Sequence, residues 1–495
     1  MPLREYQRSD IDRWAQNDYR GGWYWEPGLG KTYSAAAVVK YMLKTQKATR
    51  AMIMAPKVAL SVWHNFLVDN NKIPEKHIYN YQKMSNKKDQ SIKDVHRIFL
   101  MNFELSPVPE KKKKNKKVKV IPVKNEDGRL TFVEKKVRPS RKEREFPDDI
   151  DLWVIDESHY LKSHTSNAYN FLKTKVKKNH KLLILSGTPF PNKHVSCYTQ
   201  LNLISPGVLG KNISRFREEY CFCLNPQFGT YVLKYDKVPE VEHIAAQWCS
   251  FRKTKDHLDL PKHNDIILTY DINPDQQKML KGLMNTKKGM VESTTGVMIK
   301  PSAPVTNFTM MQQVLSGYIS MNIKDAFTKT HFRVEQDFNA RGKFEVLLQL
   351  LEVLDGKKLI VWTNFKPTAK DLKQRLTVAG YKTDAVTGDD KADLMNRIKA
   401  FVEGDVQIMI AHPLIIGISV NYFTPINYML WYELTFNWAV YKQAVDRIHR
   451  FGQKNPTFCY HLVSHKTDKA IYNALQEKED VSESFIQTFM EQETK

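Results

Sequence analysis

A run of small residues followed by a lysine and a threonine lies near the start of the chain, in Trp25-Glu-Pro-Gly-Leu-Gly-Lys-Thr32. Small residues let successive backbone N–H groups point at phosphate oxygens, and a helix N-terminus, a lysine and a hydroxyl on Mg²⁺ complete such a site. Gly28, Gly30, Lys31 and Thr32 supply these groups in order, between an aromatic stretch (GGWYW) and an alanine-rich stretch (SAAAVVKYML). Trp25 replaces the first glycine of the general pattern, so a structural turn stays an alternative to a phosphate-binding loop.

A pair of carboxylates follows an apolar run further along the chain, in Leu-Trp-Val-Ile-Asp156-Glu157. Hydrolysis of a nucleoside triphosphate needs one acid that holds Mg²⁺ and another that orients the attacking water. Asp156 suits the first role and Glu157 the second, although such a pair in isolation is more often a solvated helix cap. Ser186-Gly-Thr-Pro189 ends the next apolar run and is a hydroxyl-rich turn that could transmit the state of the nucleotide to a bound polymer.

Two arginines lie towards the other end of the chain, in the segment QAVDRIHRFGQ at 443–453. On a helix, Gln443, Arg447 and Arg450 would share one face, because they are four and three residues apart. Paired guanidinium groups suit the charge that develops on a transferred γ-phosphate. Without the other motifs, an exposed basic helix is the alternative interpretation.

Short apolar runs that could form buried strands fall into two sets, each alternating with helical segments. The first set is 51–55, 98–101, 152–155 and 182–185, and the second is 358–362, 406–411 and 428–431. Continuous apolar runs of this length between helices are typical of parallel sheets. The sequence therefore predicts two α/β lobes, with helical segments at 274–288 and 310–322 in a region that connects them.

The composition is that of a folded protein with an anionic partner. The chain has 495 residues, 42% of them apolar, which excludes wholesale disorder and indicates more than one domain. Its 76 basic and 54 acidic residues leave a net charge of +22, which favours polyanions. Five cysteines without metal-site spacing, no signal peptide and no long apolar stretch predict an intracellular, cytoplasmic protein that is not bound to a membrane, with a nuclear location left open.

Basic residues concentrate in a segment between residues 106 and 147. Within 108–147, 15 lysines and arginines stand against six acidic residues, a local excess of +9 that leaves +13 for the rest of the chain. The basic bias therefore does not depend on this segment. Two interpretations stay open, a solvated insertion and an arm that holds nucleic acid.

The order of these motifs resembles that of a Snf-type ATPase of helicase superfamily two, in the compact form of viral and bacterial members, over nearly the whole chain. The matching segments are LREYQ at 3–7 (glutamine motif), GLGKT at 28–32 (motif I), APK at 55–57 (motif Ia), DESH at 156–159 (motif II), LSGTPFPN at 185–192 (motif III), VWTNF at 361–365 (motif IV), GISVN at 417–421 (motif V) and QAVDRIHRFGQ at 443–453 (motif VI). FRKTK at 251–255 and LDLPK at 258–262 are similar to the joint between lobes that separates the Snf group from other helicases. Ser158 departs from the usual alanine of motif II, and 411–421 lacks the usual double glycine.

The resemblance implies a role for each matched residue, with ATP and Mg²⁺ as the cofactors. ATP is expected to be bound by Gln7, Pro27, Gly28, Leu29, Gly30, Lys31, Thr32 and Gly417. Thr32 and Asp156 are expected to hold Mg²⁺, and catalysis is expected to need Lys31, Asp156, Glu157, Arg447 and Arg450. The expected nucleic-acid contacts are Lys57, Asn102, Thr363 and Asn421.

The resemblance also implies the domain organisation. We expect two RecA-like lobes with parallel sheets, the first over 1–200 with ATP bound to it and a Lys-rich insertion at about 106–147, and the second over 336–495. A helical connecting region that contains the Snf-type joint is expected over 201–335, and ATP is expected in the cleft between the lobes.

Three functions are compatible with these motifs. The first is a monomeric ATP-dependent translocase on double-stranded or branched DNA, in repair, recombination or replication-fork processing, because this is the usual track of the Snf group. The second is a strand-separating helicase on DNA or RNA, against which the joint signature argues. The third is a basic nucleic-acid-binding scaffold without catalysis, against which the intact Lys31, Asp156, Glu157, Arg447 and Arg450 argue.

Overall fold

The chain divides into two compact units, residues 1–256 and 257–495, each built on its own parallel sheet. A computed structural model describes residues 2–57, 59–81, 95–106, 120–124, 130–134, 146–147, 149–161, 163–187, 196–225, 230–284, 291–292, 298–299, 304–324, 331–387, 394–416 and 422–477. The predicted two-lobed α/β fold is confirmed.

The strands of the first unit form one large sheet and two hairpins. They are β1 (Arg20–Trp25), β2 (Ala51–Ala55), β3 (Ile78–Asn80), β4 (Ile98–Asn102), β5 (Val120–Lys124), β6 (Leu130–Glu134), β7 (Leu152–Ile155), β8 (Lys181–Leu185), β9 (Cys221–Asn225), β10 (Thr230–Leu233) and β11 (Cys249–Arg252). The sheet has the order β11–β1–β8–β7–β2–β4–β3 with every pair parallel, and β5–β6 and β9–β10 are antiparallel pairs. Runs such as AMIMA and LWVI are apolar at every position because both faces of a parallel sheet are covered.

The helices of the first unit follow the strands in the alternation expected of an α/β protein. They are α1 (Glu5–Gln16), α2 (Lys31–Lys44), α3 (Ala59–Asn65), α4 (Asn167–Lys175), α5 (Cys197–Ile204), α6 (Ile213–Tyr220) and α7 (Val238–Trp248), with a π-helical segment at Phe66–Asn70 and 3₁₀ turns at Glu75–His77, Phe103–Leu105, Ser158–Leu161, Tyr235–Lys237 and Thr254–Asp256. Within the described part of the chain, no helix has the length and apolar character that a membrane crossing requires.

The aromatic rings of β1 belong to the core rather than to a surface. Trp23 and Trp25 stack with ring centroids 4.9 Å apart, and the Trp25 indole N–H donates to Ser250 Oγ (2.9 Å). The Trp25 ring, which stands where the first glycine of the general loop pattern would be, is therefore packed inside the unit. Trp431 and Tyr432 of the second unit are also buried, so both aromatic clusters pack in the core of their unit.

The second unit repeats the arrangement with a six-stranded sheet and two hairpins. Its strands are β12 (His263–Leu268), β13 (Val291–Glu292), β14 (Met298–Ile299), β15 (Tyr318–Lys324), β16 (His331–Asp337), β17 (Leu359–Trp362), β18 (Thr383–Val386), β19 (Ile408–Ala411), β20 (Tyr428–Trp431) and β21 (Thr457–Leu462). The sheet has the order β12–β21–β20–β17–β19–β18, again with every pair parallel. The helices are α8 (Pro274–Met284), α9 (Pro304–Leu315), α10 (Gly342–Leu354), α11 (Lys366–Val378), α12 (Leu394–Val402), α13 (Pro413–Ile416), α14 (Trp438–Val445) and α15 (Lys466–Gln476).

The segment 310–322 differs from its predicted helix. The helix α9 ends at Leu315, and β15 begins at Tyr318 after Gly317, whose φ of +99° only glycine adopts without strain. The range 201–335 contains β11 of the first sheet and β12 of the second. The division of the chain into two lobes and a separate helical connecting region stays a prediction.

A pair of valines in the second unit tests how much the sheet core contributes to stability. Val361 in β17 is fully buried, whereas Val353 in α10 is 79% exposed. We expect Val361→Ala to lower the free energy of unfolding by about 2 kcal/mol, because two buried methyl groups are lost and a cavity remains. Val353→Ala should leave it unchanged or slightly higher, since alanine favours a helix. Urea denaturation of both variants measures the difference, and equal effects would contradict the assignment of this core.

Candidate active site

The loop between β1 and α2 has the backbone that anion binding requires. Gly28 and Gly30 have φ of +88° and +80°, in the left-handed region where a side chain is strained. Gly30 is the N-cap of α2 and has no side chain that could cap the first N–H groups of this 14-residue helix. Such a helix start, preceded by a glycine-rich turn, attracts a negatively charged group.

The ammonium of Lys31 lies inside this loop and beside motif III. Its Nζ donates to the backbone carbonyls of Trp25 (2.5 Å) and Glu26 (3.3 Å). A Cβ atom built on Gly187 would lie 3.1 Å from Cδ of Pro27 and 3.5 Å from the Lys31 ammonium. Glycine at position 187 therefore lets the backbone of motif III approach the phosphate loop closely.

Gln7 supports the loop from the first helix. Its side-chain amide donates to the carbonyl of Leu29 (2.9 Å) and accepts from the backbone N–H of Arg4 (2.9 Å). The Tyr6 hydroxyl donates to the same Leu29 carbonyl (2.8 Å), and a Cβ on Gly30 would lie only 2.8 Å from the Gln7 amide nitrogen. The glutamine motif thus holds the loop at 26–30, and the predicted contact of Gln7 with ATP stays a prediction.

Asp156 lies at the end of β7, in a buried position. One carboxylate oxygen accepts from the Trp63 indole N–H (2.8 Å) and the other from the backbone N–H of Glu157 (3.0 Å). Burial raises the pKa of Asp156 to about 6, and the Glu157 carboxylate adds to the rise, whereas the Trp63 hydrogen bond and the positive charge of Lys31 oppose it. Motif I and motif II therefore meet at one site, as the sequence predicts.

Glu157 has an unusual backbone for its residue type. Its φ is +52°, a left-handed conformation that costs roughly 1 kcal/mol or more in a residue with a Cβ atom. One carboxylate oxygen lies 3.1 Å from Nδ1 of His159. Strain of this kind is typical of residues that are held for catalysis.

A buried glutamine connects motif II with the strand before the phosphate loop. The Ser158 hydroxyl donates to Oε1 of Gln200 (2.6 Å), and the Tyr24 hydroxyl donates to the same oxygen (3.0 Å). The alanine that is usual at position 158 could not make the first of these hydrogen bonds. Sequence reasoning recognised the serine as a departure but not its partner.

The joint signature holds the phosphate loop from the other side. The Arg252 guanidinium forms two hydrogen bonds with the Asp10 carboxylate (3.0 and 2.7 Å). The backbone N–H of Thr254 donates to the Glu26 carboxylate (2.7 Å), and its hydroxyl donates to the carbonyl of Pro27 (3.1 Å). Sequence analysis missed this role, although the similarity of FRKTK to the Snf-type joint marked the segment.

The arginines of motif VI are not on a helix. The helix α14 ends at Val445, and from Arg447 onward the chain turns, with the Arg447 N–H bonded to the carbonyl of Ala444 three residues back (3.1 Å). The predicted helical face shared by Gln443, Arg447 and Arg450 is therefore wrong. Burial lowers the pKa of Arg450. The contribution of both arginines to the charge of a γ-phosphate stays a prediction.

The predicted nucleic-acid contacts have different environments. Lys57 follows β2 and is exposed, whereas Asn102 at the end of β4 and Thr363 after β17 are buried. Gly417 and Asn421, predicted for ATP and nucleic acid respectively, lie outside the described residues. Lys57 alone of the three described residues is placed for a solvent-side contact, and the nucleic-acid role of all of them stays a prediction.

Comparison with known families accounts for most of the chain. The model of the SNF2-related domain matches residues 16–340, and that of the helicase conserved C-terminal domain matches residues 342–452. Together these two matches include motifs I to V and all but the last residue of motif VI.

Similar proteins of known sequence include a bacterial and a yeast protein. The uncharacterized ATP-dependent helicase YqhH of Bacillus subtilis is 22% identical over 485 residues, which cover 93% of this chain and 75% of that protein. The DNA repair and recombination protein RDH54 of Saccharomyces cerevisiae is 26% identical over 361 residues, 68% of this chain but only 38% of the yeast protein. Among solved structures, S. cerevisiae Dbp5 bound to RNA and ADP BeF3 shares the fold, with a TM-score of 0.50 and 13% identity over 99% of this chain and 93% of that chain.

The ion pair between Arg252 and Asp10 provides a test of the joint contacts. Asp10 is buried and Arg252 is 29% exposed, so Arg252→Ala leaves a buried carboxylate without its cation. We expect this change to lower the free energy of unfolding of the first unit by about 2–3 kcal/mol. The matched control is Arg215→Ala, which breaks an exposed pair with Glu218 and should cost no more than about 0.5 kcal/mol. Thermal and urea denaturation measure both, and similar values for the two variants would contradict a bracing role of the joint.

Proposed function

The chain belongs to the SNF2-related family of helicase superfamily two, and from this premise we propose that it is an ATP-driven motor that translocates on double-stranded or branched DNA. The two matched domains identify an ATP-hydrolysing enzyme, and the resemblance found in the sequence is confirmed. We propose a role in repair, recombination or replication-fork processing, which the name of the yeast relative supports. Such a role requires a compartment that contains DNA, either the cytoplasm of a bacterial or virus-infected cell or a nucleus.

The convergence of motifs I, II and III in the first unit carries this proposal. The positive charge of Lys31 acts on the Asp156 carboxylate, and Gly187 lies against the same ammonium. These three residues are 31 to 156 positions apart in sequence, so their proximity results from the parallel order of β1, β8 and β7. A phosphate loop, a lysine and a pair of carboxylates at the carboxyl ends of neighbouring strands are the groups that hydrolysis of ATP requires.

The donor set at this site fits Mg²⁺. Thr32 and Asp156 offer a hydroxyl and a carboxylate, the hard oxygen ligands that this ion prefers. Burial disfavours the charged form of Asp156, and a divalent cation would reverse that preference. Bound there with ATP, Mg²⁺ would neutralise charge on the β- and γ-phosphates.

The residues of the first unit would perform three tasks around ATP. The Lys31 ammonium now donates to two carbonyls of its own loop, and we propose that it exchanges these for phosphate oxygens, which are stronger acceptors because they are charged. The backbone N–H groups at the start of α2 hold the remaining phosphate oxygens. Glu157, whose side chain is directed by its left-handed backbone, orients the attacking water.

The second unit would contribute cations to the same reaction. We propose that Arg447 and Arg450 stabilise negative charge on the γ-phosphate during hydrolysis, as arginines of this motif do in the family that the chain resembles. If these arginines act only when ATP is bound and the motor is closed, hydrolysis becomes coupled to a conformational step, which is the requirement for movement along a strand.

Lys31→Ala and Glu157→Gln test the ATPase directly. We expect each to reduce DNA-stimulated phosphate release at least about a hundredfold, because each removes a group that stabilises the transition state. Arg447→Ala and Arg450→Ala should also lower the turnover rate, with a smaller effect on ATP binding. Lys44→Ala is the control, since this exposed lysine ends the helix that Lys31 begins, and it should retain full activity. Equal phosphate release by wild type, Lys31→Ala and Glu157→Gln would instead support the scaffold without catalysis.

The nucleic acid on which the protein moves can be identified by comparing how strongly different nucleic acids stimulate the ATPase. We expect double-stranded, forked and four-way DNA to stimulate phosphate release more than single-stranded DNA or RNA. Stimulation should fall steeply with salt, since contacts with phosphates release counterions. The measurement is steady-state phosphate release across these five polymers at several salt concentrations. Stimulation by single strands or RNA alone would contradict the duplex translocase and favour a strand-separating helicase.

A further inference from the structure

Two short polar patterns face each other in the sheet of the second unit, outside every motif of the ATPase. His263 and Asp265 are two residues apart on β12, and Cys459 and His461 are two residues apart on β21. The two strands are parallel, and Asp265 is the register partner of Cys459. Because residues two apart on a strand share a face, all four side chains lie on one side of this strand pair.

The ligand-type atoms of these side chains are close to one another. One ligand atom each from His263, Asp265 and Cys459 lie within 4.8 Å of one another. His263 Nε2 is 3.6 Å from Asp265 Oδ1, and His461 Nε2 is 3.5 Å from Cys459 Sγ and 3.8 Å from Asp265 Oδ1. Ligands of a tetrahedral zinc ion are separated by roughly 3.3–3.8 Å, given metal–ligand bonds of about 2.0–2.3 Å.

The surroundings of the cluster resemble the outer shell of a metal centre. Nδ1 of His263 is hydrogen-bonded to the Thr457 hydroxyl (2.8 Å), which leaves Nε2 directed at the cluster. A ligating histidine is commonly oriented by such a bond through its other ring nitrogen. Cys459 and His461 are fully buried, whereas Asp265 is 35% exposed and opens a path from solvent.

We propose that His263, Asp265 and Cys459 bind one zinc ion, with His461 as the fourth ligand. A mixed set of nitrogen, oxygen and sulfur donors suits zinc, whereas magnesium and calcium require oxygen alone. Binding releases the thiol proton of Cys459 to solvent. It also displaces the hydrogen bond between Tyr441 and Nε2 of His461 (2.9 Å). The alternative to this proposal is a network of hydrogen bonds around Tyr441 that contains no metal ion, and the experiment below distinguishes the two.

A zinc ion at this site would connect the segment that follows the Snf-type joint with the turn that contains motif VI. The ring of His449 lies 5.0 Å from that of His263, and its Nε2 is hydrogen-bonded to the carbonyl of Pro261 (2.8 Å). An ion between β12 and β21 would therefore stabilise the outer edge of the second sheet, close to the turn that contains Arg447. This role is structural and does not depend on the proposed motor activity.

Cobalt is the probe for this site, because Co²⁺ occupies zinc sites and reports its ligands in absorption spectra. The full chain, freed of metal by a chelator and kept reduced, is titrated with Co²⁺. We expect one equivalent to produce a thiolate-to-cobalt charge-transfer band and the d–d bands of a tetrahedral ion, and Zn²⁺ to abolish both. Co²⁺ at the Mg²⁺ site of the first unit gives no charge-transfer band, since Thr32 and Asp156 contain no sulfur.

Substitutions of single residues distinguish Co²⁺ binding at this cluster from Co²⁺ binding at the other cysteines. Cys459→Ser should remove the charge-transfer band, and Cys223→Ser, which changes an exposed cysteine of the first unit, should leave it intact. His263→Ala should weaken Co²⁺ binding at least about tenfold, and it keeps the test valid if Cys459→Ser does not fold. A wild-type protein without the band at saturating Co²⁺, or a band that survives Cys459→Ser, would overturn the proposal.

Discussion

The left-handed backbone of the loop at 26–30 has to be held in place by other segments, and this constraint organises the first unit around the loop. Gly28 and Gly30 reach conformations that other residues avoid, but glycine also gives the loop more freedom to lose on folding. The contacts that offset this loss come from distant segments, with Gln7 bonded to the carbonyl of Leu29 and Thr254 bonded to Glu26 and Pro27. The loop is therefore preorganised by tertiary structure rather than by its own sequence.

A second constraint is the burial of negative charge beside that loop. Asp156 lies at the end of an apolar strand, and the described residues give it two hydrogen-bond donors, the Trp63 indole and a backbone N–H. Its raised pKa shows that the site favours a positive charge close to the carboxylate. Lys31 supplies part of that charge, and a bound cation would supply the rest. The electrostatics of the first unit thus support the proposal that it binds a metal–nucleotide complex.

The sequence was sufficient to predict the most apolar strands of both sheets and the order of the motifs, because both are local signals. The apolar runs at 51–55 and 152–155 became strands with the predicted bounds, and Lys31 and Asp156 were brought to one site as expected. The prediction of a helix through Arg447 and Arg450 was wrong, because the spacing of the arginines does not show where the helix ends and a turn begins. The pairing of Arg252 with Asp10 could not be predicted, since it joins positions 242 residues apart and depends on β11 lying beside β1.

The position of β11 has a practical consequence for anyone who wishes to study the nucleotide-binding part alone. Gly22 to Trp25 of β1 pair with this strand in register, so β11 protects an edge that contains three aromatic rings. A fragment that stopped near residue 200 would expose that edge, with unpaired peptide groups beside apolar surface, and such an edge templates aggregation between molecules. A well-behaved fragment has to extend through Thr254, although every nucleotide-binding motif of the first unit ends before residue 200.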